Sequence, residues 1–61
     1  MLGRVRKAEE VYSKDRDISV MLRVNQEWRC IDKKDKMIIR RNNVRIEMDM
    51  DLFNTLFEVV E

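Results

Sequence analysis

The sequence has no histidine, no proline, one glycine and one cysteine among 61 residues. Each scarcity removes a class of chemistry. Without histidine, the commonest acid–base group and the commonest metal ligand are both missing. Ser13, Ser19, Thr55 and Cys30 therefore have no imidazole to activate them as nucleophiles. One glycine, Gly3, is too few for the glycine-rich loops that cradle phosphates. A lone Cys30 cannot close an internal disulfide, and it reads as a reduced core thiol of the cytoplasm. No apolar run reaches membrane-spanning length, and the start, MLGRVRKAEE, has no signal-peptide core. Asp49 and Asp51 are neighbours, but the first turn of a helix accounts for two carboxylates without a metal. The chain reads as a non-catalytic, intracellular protein with no cofactor, metal or membrane partner.

What remains is enough to fold. Hydrophobic residues make up 44% of the sequence, which excludes a disordered chain. Sixty-one residues form one domain at most, and so short a chain buries a small fraction of its surface. A second copy or a lasting partner is the expected brace.

The most legible stretch is Met37 to Val60, MIIRRNNVRIEMDMDLFNTLFEVV. Asn42-Asn43 suits a two-residue turn that needs positive φ angles. That turn sets Arg41 opposite Val44, Arg40 opposite Arg45, Ile39 opposite Ile46 and Met37 opposite Met48. Met37, Ile39, Val44, Ile46 and Met48 then share one face, and Ile38, Arg40, Arg45 and Glu47 the other. Beyond it, Asp49 or Asp51 can cap a helix over residues 50–60. Leu52, Phe53, Leu56, Phe57, Val59 and Val60 fill an arc of roughly 160° on such a helix. An arc that wide fits either a well-buried core helix or one that covers its own sheet and also meets a second subunit through Phe53, Leu56, Phe57 and Val60.

Upstream, Ile18, Val20, Leu22 and Val24 alternate with polar or exposed positions as a half-buried strand does. A turn at Asn25-Gln26-Glu27 would return the chain through Trp28 to Ile31, placing Arg23 opposite Arg29 and Leu22 opposite Cys30. Lys33-Lys34-Asp35-Lys36 is a charged connection, and Lys14-Asp15-Arg16-Asp17 a turn. Residues 1–16 fit either a helix, through Val5, Ala8 and Tyr12, or a first strand ending at Val11-Tyr12. The expected architecture is α+β: an antiparallel sheet of three to four strands over residues 18–49, with one C-terminal amphipathic helix on one face. Val20, Leu22, Val24, Trp28, Cys30, Ile39, Val44, Ile46, Met48, Phe53, Leu56 and Val60 form the expected core, and the five methionines its fillers.

The charge is segregated. Residues 18–46 carry eight basic side chains against three acidic ones, and residues 47–61 carry five acids and no base. The expected outer face of the sheet brings together Arg23, Arg29, Arg40 and Arg45, with Lys34, Lys36 and Arg41 nearby. Like charges in cross-strand pairs destabilise by up to about 1 kcal/mol each. Two such pairs on one face fit either a solvated face whose arginine stems cover Met21, Ile31 and Ile38, or an anionic ligand such as a phosphate backbone.

The run IEMDMDLFNTL, from Ile46 to Leu56, resembles the closing strand and helix of the positive-cofactor-four family of transcriptional coactivators. The resemblance covers an apolar–polar–apolar strand, a small polar cap, an acid, an aromatic and a leucine. It implies a four-stranded sheet with a dimerising C-terminal helix and a role in transcription regulation. It implies single-stranded-DNA contacts at Arg23, Arg29, Arg40 and Arg45, and dimer contacts at Phe53, Leu56 and Phe57. The leading expectation is thus a small homodimeric nucleic-acid-binding module that favours single strands. The alternative is a compact inhibitor or adaptor, phage-encoded for example, that occupies a host protein through an acidic helix face of Asp51, Asn54, Thr55 and Glu58. A small basic chromatin-type barrel for duplex DNA is a third possibility.

Overall fold

The computed structural model describes all 61 residues. The chain is mostly antiparallel sheet with one short helix near its C-terminal end. Its elements are β1 (Leu2–Val5), β2 (Glu9–Ser13), β3 (Ile18–Leu22), β4 (Glu27–Asp32), β5 (Lys36–Arg41), β6 (Val44–Asp49), α1 (Met50–Leu56) and β7 (Phe57–Val59). Five strands form one sheet in the order β6-β5-β4-β1-β7, and β2 with β3 forms a separate hairpin. Seven strands in two sheets replace the three or four expected, and residues 1–16 resolve into strands rather than a helix.

The β5–β6 hairpin has the register that its side-chain alternation demands: Arg41 with Val44, Arg40 with Arg45, Ile39 with Ile46 and Met37 with Met48. Of the two turn residues only Asn42 takes a positive φ, 56°. Asp49 caps the helix as expected, its Oδ1 accepting from the Leu52 N–H at 2.7 Å.

Two expectations fail. The helix stops at Leu56 instead of reaching residue 60. Phe57 returns to extended backbone (φ −126°, ψ 157°), and Phe57–Val59 pairs with β1. Seven residues give two turns, too few to persist without tertiary support, and Phe57, Val59 and Val60 are strand-favouring residues with a strand available to join. The second failure is the β3–β4 hairpin. The chain does turn at Asn25, with φ 76°, but β3 pairs with β2 and β4 pairs with β1 and β5. Leu22 therefore does not face Cys30, and Arg23 does not face Arg29. Alternation states which side chains face inward; it says nothing about which strand lies alongside.

β1 is the strand that the sequence reading left open, and it sits inside the large sheet. Its neighbours are β4, with Gly3 opposite Trp28, and β7, with Gly3 opposite Val59. The pairing continues past the strand ends at Met1 and at Val60-Glu61: Leu2 donates to the Glu61 carbonyl, Val60 to the Leu2 carbonyl and Cys30 to the Met1 carbonyl, at 2.8–3.0 Å. Its C-terminal side binds the helix. The Arg6 and Lys7 N–H groups donate to the Leu56 carbonyl, and the Arg6 guanidinium donates to the Asn54 and Thr55 carbonyls. These are the carbonyls that a helix C-terminus leaves unpaired.

The two sheets enclose one core of Val5, Val11, Leu22, Trp28, Cys30, Met37, Ile39, Ile46, Met48, Phe53, Leu56 and Phe57. Val20 and Val44 pack against it, but Val24 and Val60 are exposed, the first in the turn after β3 and the second beyond β7. Met37 and Met48 fill core space as expected of methionine, whereas Met1 and Met21 are exposed. Ser13, fully buried, donates from Oγ to the Arg45 carbonyl at 3.0 Å and fastens the hairpin to the β6 edge. Arg16 does the same from the hairpin turn, donating through Nε to the Asn43 carbonyl at 3.0 Å. No helix is long and apolar enough to cross a membrane.

At Gly3 the packing leaves no room for a side chain. A Cβ there would lie 2.8 Å from Cys30 Sγ, 3.3 Å from Phe57 Cδ2 and 3.6 Å from Phe53 Cζ. The glycine serves close approach, not unusual backbone angles. Gly3→Ala is expected to cost about 1–3 kcal/mol through overpacking. Cys30→Ala removes the closest atom, so the double variant should lose less than the sum of the two singles. Urea unfolding of the four proteins checks this; additive losses would show that the contact is not the constraint.

Candidate nucleic-acid interface

The outer face of the five-stranded sheet gathers arginines from three neighbouring strands. Arg29 on β4 lies opposite Arg40 on β5, and Arg40 lies opposite Arg45 on β6. Side chains so placed start about 5 Å apart at Cβ. The sequence implied two separate pairs, Arg23 with Arg29 and Arg40 with Arg45; the structure keeps three of the four in one row, with Arg29 facing Arg40 instead of Arg23. Arg23 itself lies past the end of β3, away from the row, and its N–H donates to Gln26 Oε1 at 3.1 Å.

The other expected contacts divide in two. Arg41, at the end of β5, lines the same surface cleft as Arg29 and Arg40, a depression of about 640 Å³ with Leu2, Ile31 and Asn42 on its walls. Lys36 stands four residues before Arg40 along β5, about 13 Å from it. It is 3.6 Å from Glu47, and Lys34 lies in the turn before it with φ 74°. Lys34 and Lys36 therefore belong to the far end of the sheet.

Ion pairing distinguishes the members of the row. Arg45 lies 3.7 Å from Asp15 and 3.5 Å from Glu47. Arg4, on β1, takes both Glu27 at 3.6 Å and Glu58 at 3.8 Å. Arg29, Arg40 and Arg41 have no acidic partner. Arg40 also borders a second depression of about 280 Å³, shared with Arg16 and Arg45. Arg16 was not legible as a site residue, because its turn reaches the β5–β6 turn only once the hairpin has folded over β6. The surface offers cations, aliphatic walls at Leu2 and Ile31, and the carboxylates of Glu27 in the first depression and Asp15 in the second. The buried Trp28, Phe53 and Phe57 are unavailable for stacking, and Tyr12 lies on the other sheet.

Burial corrects the expected dimer contacts. Phe53, Leu56 and Phe57 are at most 2% exposed inside this one chain, and the Phe53 and Phe57 rings stack with centroids 5.0 Å apart. Val60 is partly exposed, but it lies beyond β7 rather than on a helix face. The chain's own core thus takes Phe53, Leu56 and Phe57, while Val59 and Val60 stay exposed. The expected acidic helix face is broken as well. Asp51, Asn54 and Thr55 are exposed on α1, while Glu58 has moved to β7 beside Arg4, and Arg6 covers the helix end.

Cys30 is buried on the inner face next to Gly3, and burial pushes its thiol pKa up. A protonated, enclosed thiol is a weak nucleophile. A thiol reagent should label it slowly in the native protein and rapidly in denaturant; rapid native labelling would mean that β1 opens. The unfolded chain releases this proton near pH 8.5, and the folded chain only at higher pH. Stability should therefore be intact below about pH 8.5 and decline as pH rises through the folded value. Cys30→Ala should flatten that alkaline decline in denaturation measured across the same range.

Comparison with family models, with curated proteins and with solved structures finds no match to this chain.

Proposed function

We propose that the chain is a small non-catalytic nucleic-acid-binding module that holds a phosphate backbone on the Arg29–Arg40–Arg45 row. One observation carries the reading: three arginines are stacked across adjacent strands, and the two at Arg29 and Arg40 have no acidic partner. Such stacking costs stability in the free protein. An anion above the row reverses the sign of that cost. Arg41 beside them and Arg16 beyond Arg45 extend the positive track along the β5–β6 turn.

The walls favour backbone tracking over base reading. Arginine presents donors that suit phosphate oxygens, and phosphate contacts carry no sequence information. Leu2 and Ile31 give a single strand limited apolar contact. Duplex DNA is the second ligand to weigh, because the hairpin fastened on β6 closes the molecule more than an open four-stranded sheet would.

Fluorescence anisotropy with single-stranded DNA, duplex DNA and RNA tests both. Affinity should fall steeply with salt, with a log–log slope near −0.7 for each phosphate neutralised on a single strand. Arg29→Gln with Arg40→Gln should weaken binding to all sequences alike and reduce the slope by about 1.4. The same pair of changes relieves both like-charge contacts, so stability should hold or rise by up to about 1 kcal/mol per contact. Absence of binding at low salt, or a double variant that binds like the parent, would sink the reading and bring forward a protein partner.

A further inference from the structure

The large sheet and the hairpin together leave two strand edges open. The β6 edge is covered by β2, through Ser13 Oγ and Arg45 and through Arg16 and Asn43. The edge of β7 is open but guarded. Glu58 and Glu61 flank Val59-Val60, so a second copy paired there would set Glu58 against Glu61. Inward or flanking charge is how natural edges avoid pairing.

The edge of β3 has no such guard. Ile18–Leu22, ISVML, contains no charge, proline or glycine. Its only sheet neighbour is β2, and none of its backbone groups takes part in hydrogen bonds outside that pairing. Val20 and Leu22 face the core from β3, opposite Val11 and Glu9, and Ile18 lies in phase with them opposite the buried Ser13. Yet Ile18 is 43% exposed, because nothing lies beyond it. Met21, on the other face, is 44% exposed.

We infer that the β3 edge pairs antiparallel with the same strand of a second copy, with Val20 on the two-fold axis. In that register Ile18 faces Leu22 of the other copy on the core side, and Ser19 faces Met21. One residue beyond each end, Asp17 meets Arg23. The charges that flank the strand are opposite in sign and equidistant from Val20, so the edge is complementary to itself at both ends. Neither Asp17 nor Arg23 makes an ion pair within the chain. Asp17 accepts only the Tyr12 hydroxyl, and Arg23 has no side-chain hydrogen bond. Two hairpins joined this way form a four-stranded sheet, and Ile18 becomes interior. A shared strand edge is an isologous contact of the kind that closes a two-fold dimer. It is small, which makes the association weak and concentration-dependent.

Sedimentation equilibrium on the full chain, from micromolar to about 1 mM, reads the association. A reversible shift from chain mass to twice chain mass is expected. Arg23→Asp sets carboxylates together at both ends and should weaken the dimer about tenfold or more. Asp17→Arg should do the same, and the two changes combined should restore it. Because a substitution at Asp17 also alters a turn residue with φ 54°, circular dichroism must show each variant folded. Amide exchange gives a reading without mutation: Ile18–Leu22 should gain protection as concentration rises, and Phe57–Val59 should not. Chain mass at about 1 mM, an Arg23→Asp variant that associates like the parent, or protection that appears at β7 instead would each overturn the assignment.

Discussion

The close approach at Gly3 is the constraint on which the rest of the fold depends. β1 can lie between β4 and β7 only because the residue facing Cys30, Phe53 and Phe57 has no side chain. With β1 in place the C-terminal segment has a strand to join, and Phe57 leaves the helix to join it. The stacked Phe53 and Phe57 rings then cover Gly3 from the helix side. The same strand delivers Arg6 and Lys7 to the helix end, where they meet the carbonyls that Phe57's departure leaves unpaired. The only glycine of the chain, the shortened helix and the sheet order are therefore one arrangement.

How much of this was legible follows from how local each feature is. The β5–β6 hairpin was readable because its turn residues, its alternation and its length all act within a dozen residues and agree. The Asp49 cap was readable for the same reason. The β1 position was not, since Gly3 meets Trp28 and Val59, neighbours 25 and 56 residues distant. The end of the helix was hidden by an ambiguity of pattern. Leu56, Phe57 and Val60 fit a helical face, while Phe57, Glu58 and Val59 fit strand alternation equally well. Only the presence of β1 decides between them.

The candidate site was half legible for a related reason. Arg40 opposite Arg45 came from the readable hairpin. Arg29 was recognised as part of the basic face, but with the wrong neighbour, because a hairpin between β3 and β4 satisfies the same alternation as the pairing observed. Lys34 and Lys36 lie close to the arginines in sequence, but the length of β5 separates them in the sheet. Arg16 gave no signal at all, since only the hairpin folded against β6 brings it to Asn43.

The acids around the row pair with some of its basic neighbours and not with others. The sheet's outer face carries acids at Glu27, Glu47 and Glu58, each within ion-pair distance of a nearby basic side chain. Glu27 and Glu58 both engage Arg4, at the β1 end. Glu47 lies between Lys36 and Arg45, which also has Asp15. Surface pairs of this kind each contribute at most about 1 kcal/mol, so they do not dictate the fold. What they do is neutralise the two flanks and leave Arg29 and Arg40 as the uncompensated centre. A surface tuned for stability alone would place an acid opposite one of them, because a single Arg40→Glu exchange would turn two repulsive pairs into two attractive ones. The sequence forgoes that gain at Arg40, which the proposed phosphate site would require.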